Sequence, residues 1–246
     1  MMISFITFGQ EKKKYIDEIQ GLIESGGIRV SPPTFLGSEK LPAILNTEEF
    51  NTLGEFMSKY IQYPEEAKQW FKEGTEVVRF LVSTKGELTN FTVVNSISPE
   101  IDREVIRVLK NTNQMWTPGL NNGLPVAMEK EISIAFKLAY GQSDSTIDFI
   151  TEAKRCFKVG NKRFFVKENN KGALKYYDKA IHYLPNDKSI LVTRGMCKYE
   201  LGDREGACRD WNRIAILGGY EGDAYLNNFC NLKGYPEMIS AIQKAQ

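Results

Sequence analysis

Apolar and polar positions change rhythm several times along the chain, and each rhythm predicts an element. Residues 11–25 carry Tyr15, Ile19, Leu22 and Ile23 on one helical face, and Ser25-Gly26-Gly27 ends that helix. Ser31-Pro32-Pro33 and Leu41-Pro42 break regular structure, so 26–45 is predicted as linker. Leu53, Phe56, Met57, Tyr60 and Ile61 follow at i, i+3, i+4, i+7 and i+8, one apolar stripe of a helix. Tyr63-Pro64 stops it, and Pro64 suits the first turn of a short helix carrying Ala67, Trp70 and Phe71. The period then drops to two. Val78, Phe80 and Val82 alternate with Val77, Arg79, Leu81 and Ser83, and Thr84-Lys85-Gly86 joins this strand, Val77–Val82, to a return strand, Leu88–Val94. Ser98 is placed to cap a helix starting at Pro99 and running to about Lys110, with Ile101, Val105, Val108 and Leu109 buried. The clearest strand is Met128–Leu138, with Ile132, Ile134, Phe136 and Leu138 opposite Glu131, Ser133, Ala135 and Lys137. Helix, hairpin, helix and strand in that order predict an α+β layer built on a three-stranded antiparallel sheet.

After Gly141 the pattern is helical only. Phe157, Gly160, Phe164, Ala173, Tyr177, Ala180 and Pro185 fall at tetratricopeptide spacing. A shift of 34 residues sets Leu191 on Phe157, Ala207 on Ala173 and Trp211 on Tyr177, and puts Gly195 where the first unit has Asn161. A small residue lets paired helices approach and an aromatic ring fills the space between them. Leu201-Gly202-Asp203 is the expected turn of the second pair. Ala224–Cys230 and Pro236–Ala245 are expected to close the array, since two repeats are fewer than the ~3 that usually stand alone.

Composition narrows the function. A hydrophobic fraction of 42% and a charged fraction of 26% are those of a globular protein, and a net charge of +1 gives no global pull toward nucleic acid or membrane. No stretch approaches the roughly 18 apolar residues of a membrane span. Met1 to Phe8 is short and apolar, and Ser4-Phe5-Ile6-Thr7-Phe8-Gly9-Gln10 looks like the tail of an export signal. Residues 1–9 are therefore either a signal-peptide remnant or an ordinary apolar start. Cys156, Cys197, Cys208 and Cys230 match no zinc pattern, and the lone His182 stands apart from them on a helix surface, so no metal or cofactor is expected. Disulfides would fit an exported protein and buried thiols a cytosolic one. In a repeat arrangement Cys208 and Cys230 fall at similar height on antiparallel helices and could pair. No phosphate loop, serine elbow or acid–base pair is present, and Trp70, Trp116 and Trp211 are expected in the core.

Tyr63-Pro64-x-x-Ala67, Gly74 before Val77-Val78-Arg79-Phe80, Gly86, Ser96 to Asp102 and Trp116 to Gly119 resemble the C-terminal domain of the TonB family in order and spacing over about ninety residues. Trp70-Phe71 depart from it, replacing the usual small or glycine position before the first strand. The resemblance implies a TonB-like domain at 46–140; the patterns around it give a helix and linker at 10–45 and tetratricopeptide-like repeats with closing helices at 147–246. The resemblance also implies a sheet edge that holds an extended peptide, such as a segment of an outer-membrane receptor. The contact row would be Glu131, Ile132, Ser133, Ile134, Ala135, Phe136 and Lys137, unless the N-terminal segment or the repeats cover it. A second row, Arg155, Lys158 and Lys162 with Phe165, lies in a region of nine basic and two acidic residues from Lys154 to Lys179. It is either a groove for an acidic peptide or a solvated face. The expectation is a non-enzymatic, exported or periplasmic adaptor that binds protein and not nucleic acid, with a homodimer open to it through edge strands. The alternative is a component of TonB-dependent transport whose membrane anchor lies outside this chain.

Overall fold

The structure, a computed structural model, describes residues 29–36, 52–138 and 148–230. The helix expected at 11–25, the remnant at 1–9, the connection at 139–147 and the helix expected at Pro236–Ala245 lie outside the described residues. The chain clusters into two compact units, one of residues 1–64, 78–94 and 102–132, the other of residues 65–77, 95–101 and 133–246.

In the first unit, helix α1 (Leu53–Tyr60) begins with a capping box: Glu55 N–H donates to Thr52 Oγ1 at 3.2 Å, and Thr52 N–H donates to the Glu55 carboxylate at 3.2 Å. It buries Phe56 and Met57. Strands β3 (Gly74–Val82) and β4 (Leu88–Asn95), which contribute to both units, are joined by a tight turn. Ser83 N–H donates to Glu87 O at 2.8 Å, and Gly86 takes φ 79°. A Cβ at Gly86 would run into the carbonyl oxygen of Trp116, so both the turn and the close approach require glycine. Val78, Phe80 and Val82 are fully buried, as is Trp116, whose ring meets Phe80 at 5.4 Å and Phe35 at 5.5 Å. Helix α3 (Pro99–Lys110) supplies Val105, Val108 and Leu109.

Two expectations are corrected here. The segment at 29–36, predicted as linker, forms β1 (Val30–Ser31) and β2 (Thr34–Phe35), paired antiparallel with β6 (Gly119–Asn121) and β5 (Trp116–Thr117). Pro32-Pro33 interrupts the pairing without abolishing it, because proline suits extended backbone. β6 pairs in turn with β7 (Leu124–Val126). Ser98 is not the expected cap: among the described residues its buried hydroxyl has no hydrogen-bond partner. The approach to α3 is held from the strand instead, with Ile97 N–H donating to the Glu76 carboxylate at 2.9 Å.

The second unit contains α2 (Glu65–Gln69), the start of β3, the end of β8 (Met128–Phe136) and two helical hairpins. The first hairpin is α4 (Phe149–Asn161), a π-helical turn (Lys162–Val166) and α5 (Asn170–Tyr183); the second is α6 (Lys188–Glu200) and α7 (Arg204–Ile216). Helix α8 (Asp223–Phe229) follows. Asp148, Asn169, Asp187 and Asp203 each cap a helix by accepting from backbone N–H groups of its first turn. Gly160 lies under the Tyr177 ring, where a Cβ would come within 2.6 Å of it, and Gly195 lies under Trp211 in the same way. Gly195 thus corresponds to Gly160, not to Asn161, which instead accepts from Tyr177 OH at 2.9 Å. The caps Asn169 and Asp203, and the rings of Tyr177 and Trp211, keep the 34-residue offset. The one additional residue therefore lies between Gly160 and Asn169, where the π-turn's wider i→i+5 winding accommodates it. Arg194 clamps Asp210 through two hydrogen bonds, 2.8 and 2.6 Å, and reaches Asp178 at 3.2 Å, tying α5, α6 and α7.

Candidate protein-binding site

Strand β8 stands at one end of the order β4-β3-β8. Its alternation gives it one covered face and one open face: Phe136 is buried and Ile132 and Ile134 half-buried, while Ser133, Ala135 and Lys137 are exposed. Arg79 of β3 reaches Glu131 at 3.4 Å and Glu129 at 3.8 Å. In the second unit, two members of the predicted row make contacts through their side chains, one with the α5–α6 connection and one with the first residue of α4. Ser133 Oγ accepts from Asn186 Nδ2 at 3.3 Å, and the Lys137 ammonium sits 4.8 Å from the centre of the Phe149 ring. The carboxylate of Glu73 accepts from Leu138 N–H at 2.6 Å.

The row on the helices is less uniform. Arg155, Lys158 and Lys162 are all exposed. Arg155 is engaged by Glu152 at 2.8 and 2.6 Å, and Lys179 of α5 reaches the same carboxylate at 3.3 Å. The hydrogen bond from Arg155, and then that from Lys179, hold the Glu152 carboxyl down to about 2 against the opposing effect of its burial. Phe165 belongs to the π-turn, whose wider winding turns it off the line that continues α4.

Cys208 and Cys230 are joined by a disulfide, with Cα atoms 5.7 Å apart. Cys156 and Cys197 are buried free thiols, and burial pushes the Cys197 thiol up to about 11. Among the described residues no three His, Cys, Asp or Glu side chains gather to hold a metal ion.

Two expectations about single residues fail. His182 is not a surface residue: it is half-buried, contacts the carbonyl oxygen of Glu73 through Nε2 and covers Gly74, where a Cβ would meet the ring. Its neighbour Tyr183 accepts from Thr75 Oγ1 at 2.7 Å. Its sequence position gave no hint of this, because the contact joins residues more than a hundred positions apart. Trp70 is not in the core but 71% exposed, beside Phe71 at 67%. Helix α2 ends at Gln69, so Trp70 lies beyond its last turn, and Phe71 follows with φ 50°. The signal was present in the sequence, since these two residues stand where the resembled family has a small residue or glycine.

Residues 59–138 match the family described as the Gram-negative bacterial TonB protein C-terminal. That is a domain of envelope proteins, and the match covers α2, α3 and the strands from β3 to β8. No curated protein matches the chain. No helix of the described residues is long and apolar enough to cross a membrane.

Proposed function

We propose that this protein is a non-enzymatic adaptor of the bacterial envelope that binds an extended segment of another protein along β8. The observation that carries this reading is the terminal place of β8 in the sheet of a TonB-type domain. A strand in that position can be extended by main-chain hydrogen bonds from an incoming peptide, while alternate side chains set specificity. Glu131 to Lys137 form the contact row, and a segment of an outer-membrane receptor is the partner class the family suggests. The same geometry allows two copies to pair edge to edge.

The helical hairpins are of tetratricopeptide type in this reading. Support comes from the 34-residue recurrence of Ala173 and Ala207, of Tyr177 and Trp211, and of the capped Gly172 and Gly206. They offer a second protein partner the basic side of α4 at Arg155 and Lys158, continued by Lys162 at the start of the π-turn. The disulfide fits an exported, periplasmic location. The family match also favours a second reading, a working component of TonB-dependent transport.

Amide NMR of the full chain titrated with an extended receptor-segment peptide tests the first reading. Shifts concentrated in 131–137 are expected. Saturable binding that leaves those amides unmoved overturns it. Loss of energised uptake in a strain whose chain carries substitutions that leave peptide binding intact favours the transport component.

A further inference from the structure

We propose that the tip of the α4–α5 hairpin is a shallow docking surface for an anionic lipid bilayer. Phe165 and Val166 are consecutive, apolar and 59% and 73% exposed. From Lys162 to Lys171 there are four basic residues, Lys162, Arg163, Lys167 and Lys171, against one acidic residue, Glu168. Lys162, Lys167 and Lys171 are exposed, and the ion pairs of the described residues do not include them. Arg163 lies over the Tyr176 ring at 5.0 Å.

The tip is built, not loose. Lys167 N–H donates to Lys162 O at 3.2 Å and Asn169 N–H to Arg163 O at 2.9 Å. Phe164 is half-buried against Tyr177, with ring centres 6.4 Å apart, and backs Phe165 at 4.8 Å. One aromatic ring anchors the turn inward while the next two side chains face solvent.

The choice of occupant follows from charge and position. A peptide is held in a groove or along a strand edge. Here the apolar pair sits where the chain reverses, flanked by lysines. That arrangement suits a planar interface: Phe165 and Val166 enter the boundary between headgroups and acyl chains, while lysine ammonium groups stay among the phosphates with their stems lying flat. Two side chains bury little area, so binding is reversible and depends on anionic lipid. The inference does not depend on the reading of β8.

The test is sedimentation of the full chain with vesicles of phosphatidylcholine alone or with about 30 mol% phosphatidylglycerol. About tenfold greater partitioning to the anionic vesicles is expected, falling several-fold as salt is raised because exposed charges are screened. The double variant Phe165→Ser/Val166→Ser, and separately Lys167→Gln/Lys171→Gln, should each lose most of that binding with an unchanged circular dichroism spectrum. Equal partitioning to neutral and anionic vesicles, or none to either, overturns the proposal. Undiminished vesicle binding by both variants does so too. Retention on a polyglutamate column without vesicle binding assigns the tip to an acidic peptide and equally overturns it.

Discussion

Phe71 holds φ 50°, a left-handed conformation that crowds its own Cβ. It follows the last turn of α2, with its N–H donating to Lys68 O at 3.1 Å, the place where a glycine commonly ends a helix. Phe71→Gly should therefore raise stability, by about 1 kcal/mol, read as a higher urea midpoint with unchanged slope. Glu152 is the other residue whose setting dictates behaviour. Its carboxyl is held near 2 in the folded chain, below its ordinary 4.5. A depressed carboxyl contributes stability that is complete above 4.5 and disappears as pH falls toward 2. Wild type should lose roughly 1–2 kcal/mol from this group across that window, and Glu152→Gln should show a shallower acid dependence in unfolding followed from pH 6 to pH 2. At this scale the sequence was a partial guide. Trp116 and Trp211 are buried as their surroundings suggested, but Trp70 is not, because the helix meant to carry it inward stops one residue earlier.

Elements with a strong internal rhythm were legible. The alternation of β8, the glycine of the β3–β4 turn and the apolar stripe of α3 each announce themselves within a dozen residues. Elements that exist only because a distant partner meets them were not: β1 and β2 have two residues each and owe their pairing to β6 and β5, more than eighty positions away. The π-turn was equally hidden, since Lys162 and Phe165 look like a continuation of α4. The thiols give a test at this scale. Burial raises both Cys156 and Cys197 above their ordinary value, while Cys208 and Cys230 are bonded to each other. The folded chain should show almost no fast-reacting thiol with an aromatic disulfide reagent at pH 8, two after denaturation and four after reduction. Cys208→Ser should cost about 3 kcal/mol for a loop closed across 22 residues.

For the molecule as a whole, the second unit joins segments far apart in sequence. The start of β3 is bonded to the end of α5 through Thr75 with Tyr183 and Glu73 with His182. A boundary drawn from composition near residue 140 separates these partners, because charge and periodicity report on neighbours along the chain and not across it. If that bonding matters energetically, amides 73–77 and 180–184 should exchange as one group. Thr75→Val should speed hydrogen exchange in both segments, by about five- to tenfold for one lost hydrogen bond. Faster exchange confined to residues 73–77 would show that the two segments open separately.

An insertion inside a regular helix rotates everything beyond it by about 100°, which would swing Tyr177 away from Gly160. In this chain a single wider coil takes up the surplus, so the slip is local and the rest of the hairpin keeps its phase. Removing one amino acid between Lys162 and Val166 should consequently heal the coil into ordinary helix, preserving the ring-over-glycine contact and helical content. The same excision in the middle of α6 should unfold its hairpin.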